Sequence, residues 1–415
     1  MTRPSRRLCV LLVVAGAVAF AVLAALLVPW HWVPGGHYRQ VAAGGVFTQS
    51  EIDHARAFSG VQRELGWAAY GVSLVVALLL GLTRAGRWLV RRVPGWWWAR
   101  VVLGTLLVLL VGFVVTAPLA WYSQQREVTF GLSNQPAGSW WRDQLVSLGV
   151  SWVFTAVGML VLVGLARRLP RSWPLWAALV SVVLGGLASF VYPVAVQPLF
   201  NHFTPLPHGQ LRRQVLHLAA REHVHVSDVL VANASRQTTT LNAYVSGFGS
   251  TRRVVLYDTL LRETPRRQLL LVVAHELGHA HRRDVLTGTL LGIAGGVGGV
   301  GLLGLLLSSR WLLRRSGAAG PADPVVVPLV LALVAVGGLL ASPVQNSISR
   351  DVEARADRAS LAATGDYAGF VDLQRRLAVS SLADPNPPAW SQFWFGTHPT
   401  ALQRIGIAEA LRDRH

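Results

Sequence analysis

Two histidines four residues apart, His275 and His279, bracket a glutamate in the stretch His275-Glu276-Leu277-Gly278-His279. Residues of these types can hold a metal ion and move a proton. The surrounding run 269–281 reads as a helix, with Thr264 as N-cap and Pro265 as first helical residue. Positions i and i+4 share one helix face, so both imidazoles can grip a single ion. Glu276 then lies beside that ion, where its carboxylate can take a proton from an attacking water. The alternative is chance, because the pattern is short and the chain holds 13 His.

A hydrolytic zinc site needs a third protein ligand and an open fourth position. Glu353 is the candidate ligand, within Arg350-Asp351-Val352-Glu353-Ala354-Arg355-Ala356-Asp357. Asp357, one helical turn later, is placed to accept the second ring N–H of a metal-bound histidine and fix its tautomer. Pairs of this spacing commonly decorate a solvated helix face. This one follows a long apolar run in a chain with 20 Asp+Glu against 38 Lys+Arg, which favours a ligand role. Cys9 is the only cysteine. No disulfide can form within the chain, and a single zinc ion would be held by His and carboxylate alone.

The elements that must position these residues belong to a membrane protein. Of the 415 residues, 52% are hydrophobic and 14% charged, and mean hydropathy is +0.42. Seven apolar stretches approach the ~20 residues that cross a bilayer: 8–30, 67–82, 98–122, 145–165, 173–192, 286–309 and 324–343. Trp and Tyr stand at many of their ends, as interfacial anchors do. The first stretch is longer than a signal-peptide core and lacks a small-x-small cleavage site before Pro29, so it reads as a retained span.

All 38 basic residues are Arg, and the formal net charge is +18. Nucleic acid binding does not follow, because the arginines crowd short loops beside apolar spans, where they set membrane orientation. They gather at the N-terminus and at 84–100, 167–171 and 310–315, while 31–66 and 123–144, read as loops, are poorer. With seven spans this pattern puts the N-terminus inside the cell membrane and the metal-site segments outside. Arg266, Arg267, Arg282 and Arg283 on the supposed outer side weaken that orientation.

Residues 1–192 supply five spans, 193–285 form the main polar segment ending in the metal helix, 286–343 form a transmembrane hairpin, and 344–415 return with the third ligand. The hairpin brings the chain back to the side it left, so His275, His279 and Glu353 can meet at one membrane face. Gly288, Gly292 and Gly296, with Gly295 and Gly299 beside them, read as a small-xxx-small packing stripe.

Several segments follow one another in an order of their own: 197–207, 242–247, 253–261, the metal helix, Ser349-Arg350 with Glu353 and Asp357, and His398-Pro399. In these the chain resembles the type I CAAX prenyl endopeptidases, integral-membrane zinc metalloproteases that trim prenylated proteins, and their bacterial relatives. The resemblance implies a predominantly α, polytopic protein of about seven transmembrane helices enclosing a chamber, with a small α+β zinc-peptidase domain at one end. It implies that Asn242 and Tyr244 belong to a substrate-binding edge strand, to which an extended peptide adds by main-chain hydrogen bonds. It also implies that His398 faces the zinc site, where an N–H donor would stabilise the oxyanion. Arg404 is expected to pair with a ligand carboxylate. Taken singly, Asn242 reads equally as a turn residue, Tyr244 as a packed aromatic, and His398, Arg404 and Arg350 as surface residues.

The expected activity is zinc-dependent endopeptidase cleavage of lipidated or hydrophobic membrane-associated proteins. General quality control of membrane proteins is the alternative, since nothing in the chain identifies a prenyl pocket. A metal transporter is a third reading, but transport ligands usually sit near the bilayer midplane, and Glu276 would have no duty there. His202, His208, His217, His223, His225 and His281 are read as packing or surface residues.

Overall fold

A computed structural model describes residues 4–31, 39–247 and 249–413. The membrane part opens with α1 (Arg6–Leu27), α2 (Gln49–Leu82), α3 (Arg84–Arg91), α4 (Trp97–Thr129), α5 (Ala137–Arg168) and α6 (Trp173–Val191). A polar segment follows, with β1 (Phe203–Pro205), α7 (Gln210–Arg221), β2 (Asp228–Ala232), β3 (Ala243–Ser246), β4 (Arg253–Tyr257), α8 (Asp258–Glu263) and α9 (Arg266–Arg282). Then come α10 (Asp284–Leu306), α11 (Arg310–Ser316), α12 (Val327–Thr364), α13 (Tyr367–Ser380), α14 (Ala389–Phe395) and α15 (Ala401–Arg412). Six helices are long and apolar enough to cross a membrane, and α6 is a shorter apolar helix beside them.

Six of these helices close a ring in the order α2, α4, α5, α6, α10, α12, with α1 outside against α10. Burial along the ring helices is uneven. In α2 it stops at Phe58 and resumes at Gly81. In α4 the gap runs from Val108 to Gln124, in α5 from Trp140 to Ala156, and in α12 from Ala332 to Asn346. A helix in a solid bundle buries one stripe along its whole length. Outward faces meet lipid, so unburied middles mean that the inward faces are open too. The ring therefore encloses a chamber.

Its far end is plugged by Val90, Val101, Leu162, Val163, Trp173, Val326 and Leu329. The arginine-rich connections gather at this end: Ser5 N–H donates to Arg171 O at 2.9 Å, and Arg167 donates to Ala322 O at 3.2 Å.

The other end carries a four-stranded sheet in the order β1-β2-β4-β3. β2 and β4 pair in parallel, and β1 and β3 are antiparallel edges. Leu269, Val273 and Leu277 of α9 pack with Val229, Val254 and Leu256 of the sheet and Val215 of α7. The opposite side of α9 lies against α12, where a Cβ on Gly278 would stand 3.0 Å from the Ala359 Cβ. That close approach lets α9 and α12 share a metal site.

Several sequence expectations change. The metal helix begins at Arg266 with Pro265 as N-cap, because Asp258–Glu263 folds as its own helix and Thr264 caps the end of that one. Residues 49–66, 123–129 and 137–144, read as parts of loops, are helical. Thr48 and Glu51 form a capping box that starts α2 at Gln49, well before the apolar stretch, and α4 runs on to Thr129. The boundary at 343/344 falls inside α12, which continues through Pro343 and itself carries Glu353. Gly288, Gly292, Gly296 and Gly299 meet open space; the close helix crossing uses other glycines. A Cβ on Gly16 of α1 would fall 2.4 Å from Gly298 N, and one on Gly301 would fall 2.7 Å from Cys9 O.

Candidate metal centre

His275 and His279 project from α9 toward Glu353 on α12, and among the described residues these three form the cluster able to hold a metal ion. Their donor atoms lie close together. The two Nε2 atoms are 3.1 Å apart, His275 Nε2 is 3.3 Å from Glu353 Oε2, and His279 Nε2 is 3.5 Å from Glu353 Oε1. A tetrahedral ion with bonds of about 2.0–2.2 Å keeps its donors about 3.3–3.6 Å apart, so the spacing fits. Charge fits as well. Burial alone would lower the His275 pKa, but hydrogen bonds to Asp357 and Glu353 outweigh it and push it up to about 10. The fold has built a pocket that wants a cation between its donors.

Each imidazole is fixed from behind. His275 Nδ1 is 2.9 Å from Asp357 Oδ1, and Asp357 is fully buried. His279 Nδ1 is 2.9 Å from Asp284 Oδ2. Both aspartates are in turn held by arginines, Asp357 by Arg404 and Asp284 by Arg355. Arg404 thus pairs with the carboxylate behind a histidine rather than with Glu353, its Nε donating to Asp357 Oδ2 at 2.7 Å. Arg404 stands on α15, which packs on α12, and its guanidinium takes both Asp357 oxygens. Asp284 and Arg355 were not expected from sequence. The available signal was slight, an acid at the first position of α10 and an arginine between Glu353 and Asp357.

Glu276 lines the same cleft. Burial raises its carboxyl pKa, opposed by the neighbouring imidazoles, which moves it toward the range useful to a general base. His398 Nε2 stands 3.4 Å from Glu353 Oε1, and its Nδ1 is 2.9 Å from the Thr397 hydroxyl. Partial desolvation lowers the His398 pKa from its ordinary value, opposed by the Glu353 carboxylate and helped by the Arg404 cation. A hydroxyl donor at Nδ1 leaves the ring proton on Nε2, the tautomer an oxyanion donor needs.

Tyr244 lies on β3, whose outer edge is unpaired with any strand among the described residues, and Asn242 O accepts from Tyr257 N–H at 3.0 Å just before it. Burial raises the Tyr244 hydroxyl pKa further, so it stays neutral. Asn242, Tyr244, the three candidate ligands, Glu276, His398 and Arg404 all border one cleft of about 1210 Å³. Apolar stretches of its wall come from Phe370, Leu373 and Leu377 of α13 and from Leu286, Leu290 and Ile293 of α10.

Residues 205–412 match the family described as peptidase family M48, and residues 39–202 match the N-terminal region of CAAX prenyl proteases, described as five membrane helices. A Bacillus subtilis protein named uncharacterized metalloprotease YhfN is 29% identical over 87% of this chain and 86% of its own length. CAAX prenyl protease 1 of Saccharomyces cerevisiae is 30% identical over 41% of this chain and 38% of its own. The crystal structure of Ste24p from S. mikatae superposes with a TM-score of 0.74 at 19% identity, covering 98% of this chain and 99% of that one. This last likeness is one of fold.

Proposed function

The chain belongs to peptidase family M48 and is a multi-pass, membrane-embedded metalloendopeptidase, and from that premise we propose that His275, His279 and Glu353 hold one zinc ion at which peptide bonds of hydrophobic or lipidated membrane-associated substrates are cut. The observation that carries this reading is the convergence of the three donors within 3.1–3.5 Å, with Glu276 on the same cleft wall. When bound, zinc supplies Lewis-acid polarisation of the scissile carbonyl and lowers the pKa of water toward about 7.

The protein's own groups do the rest. Glu276 accepts the proton of the attacking water as its oxygen bonds the carbonyl carbon. The same carboxyl then returns that proton to the amine that leaves when the C–N bond breaks. His398 Nε2–H donates to the developing oxyanion, an interaction realised in the transition state rather than in the ground state. Asp357 and Asp284 keep the histidines turned with Nε2 toward the ion. A substrate strand added along β3, beside Asn242 and Tyr244, would lie extended across the centre.

Lipidated substrates are supported by the relatives named as CAAX prenyl proteases, and hydrophobic ones by the apolar stretches of the cleft wall and the chamber behind them. General quality control of membrane proteins is the second reading, favoured by wall stretches of Leu, Ile and Phe that discriminate little among apolar groups. Paired fluorogenic peptides, identical except for a farnesyl on cysteine, decide between them when cleaved by purified protein and by Glu276→Gln. Cleavage of the farnesylated peptide alone, by wild type alone, is the outcome for a prenyl-protein peptidase. Equal cleavage of both would make it a general one, and retained turnover in Glu276→Gln would remove the mechanism.

A further inference from the structure

His398 presents a problem of placement. Its side chain is 59% exposed and touches only Thr397 and Glu353 at hydrogen-bonding range among the described residues. Packing therefore does not hold the imidazole where an oxyanion donor must stand, and its backbone must be held instead. We propose that Arg350, with Asn346, is a positioning residue for His398, fixing the strap formed by α14 and the turn after it. The proposal rests on the oxyanion reading of His398 given above.

Asn346, Arg350, Glu353 and Asp357 follow one another at i, i+4, i+7 and i+11 along α12, so they form one polar stripe on that helix. The lower half of the stripe serves the metal centre, and the upper half grips the strap. Arg350 Nη1 donates to Gly396 O at 2.6 Å and to Gln392 O at 3.0 Å, while its Nη2 donates to Ser347 Oγ at 3.0 Å. Asn346 Nδ2 donates to Trp394 O at 2.6 Å and to Phe393 O at 3.4 Å. These carbonyls lie in the last turn of α14 and at its C-cap Gly396, where a helix runs short of its own donors; Gln392 O also accepts from Gly396 N–H at 3.0 Å. A helix of 7 residues is not stable in isolation, so its tertiary ties decide its position.

The remaining contacts of the strap set distance but not register. Trp67 of α2 meets Phe395 at 4.0 Å and Trp390 at 4.8 Å between ring centroids, and Tyr70 meets Phe395 at 5.7 Å. Ring contacts of this kind tolerate sliding, whereas a planar guanidinium shared by two carbonyls does not. Gln392 closes the path to the histidine, its Nε2 donating to His398 O at 2.6 Å. The line Arg350, Gln392, His398 ends where the ring reaches over Glu353.

The experiment compares Arg350→Ala, Arg350→Lys, Gln392→Ala, His398→Ala and Arg350→Ala/His398→Ala in the full-length purified protein. For each, kcat and KM on a quenched hydrophobic peptide are measured beside bound metal per chain. Loss of one oxyanion donor costs about 10²–10³-fold in kcat, which bounds the effect. The expected result is a fall in kcat of about 10–100-fold for Arg350→Ala, with KM and metal content unchanged and no further fall in the double variant over His398→Ala. Arg350→Lys, which keeps a cation for the carbonyls but loses the Nη2 bond to Ser347 Oγ that orients the side chain, should fall between, and Gln392→Ala should show a smaller loss of the same kind. Additive losses, loss of metal, or an unchanged kcat in both Arg350→Lys and Gln392→Ala would overturn the proposal. Full activity of His398→Ala alone would overturn the oxyanion reading, and the proposal with it. Gln392→Ala removes only a surface bond, so the question stays answerable if Arg350→Ala does not fold.

Discussion

Glu276 and the two aspartates behind the histidines divide the work of the centre, and substitution should separate them. Glu276→Gln keeps the shape of the side chain but cannot accept a proton, so cleavage should fall by about 10²–10⁴-fold while metal stays bound. Asp357→Asn and Asp284→Asn should do the reverse. Each releases one imidazole from its orienting carboxylate and should weaken metal binding by about 10–100-fold, read by competition with a chromophoric chelator. Equal metal affinity in Asp284→Asn would remove Asp284 from this role. The metal-free centre also has a pH dependence of known sign. Burial favours neutral His275, but the bonds to Asp357 and Glu353 prevail and raise its pKa to about 10. Below that pH the proton occupies the site and must leave before metal enters. Apparent affinity should therefore rise about tenfold per pH unit through the neutral range, and a flat profile would show that His275 is neutral before loading. At this scale the sequence was legible where chemistry is local. His275, Glu276 and His279 fall within five consecutive residues, whereas Asp284–Arg355 joins residues 71 apart in the chain and becomes visible only once α9, α10 and α12 are packed.

At the scale of elements, the metal centre depends on how closely α9 approaches α12. Gly278 sits in that contact, with a Cβ there already 3.0 Å from the Ala359 Cβ. Gly278→Val should push the helices apart, at a cost of about 1–3 kcal/mol from overpacking, and should lower metal occupancy more than it lowers the melting temperature. A stable variant with full metal content would show that the glycine is dispensable. Hydropathy made the spans legible because each is apolar for most of a bilayer's thickness. It could not show that α2 begins at Gln49, since residues 49–66 are polar and their helix is held by distant partners: Glu51 by Arg375 at 2.5 Å and Arg63 by Asp384 at 3.2 Å. The glycine stripe misled for a related reason. α10 is apolar on every side, so periodicity could not say which glycines face α1, and the contact fell to Gly298, Gly301 and Gly304 instead of Gly288, Gly292 and Gly296.

For the whole molecule, the decisive asymmetry is between the two ends of the ring. The plugged end collects Arg6, Arg7, Arg84, Arg87, Arg91, Arg92, Arg167, Arg168, Arg171, Arg310, Arg314 and Arg315, against the single acid Asp323 in those connections. The short connections at the open end are poorer, with Arg39 between α1 and α2 and none in 130–136. Short loops rich in arginine stay cytoplasmic, whereas the long polar segment around the metal centre counts little toward orientation. The metal centre is therefore expected on the far side of the membrane from the cytoplasm, with the chamber opening toward it. Cysteine labelling tests this directly, because Cys9 is the only native thiol and can be removed as Cys9→Ser. In that background Gly44→Cys, which has open space around it, marks the open end, and Arg314→Cys marks the plugged one. A membrane-impermeant maleimide added to intact cells should label Gly44→Cys and spare Arg314→Cys until the cells are opened. The opposite pattern would place the centre in the cytoplasm, and the arginines of the plugged end would then need a reason other than orientation. The outcome bears on substrate as well as topology. A centre outside the cytoplasm meets translocated and membrane-inserted proteins, whereas one inside meets proteins lipidated in the cytoplasm, so the side on which Gly44→Cys reacts selects between the two substrate readings before any substrate is known.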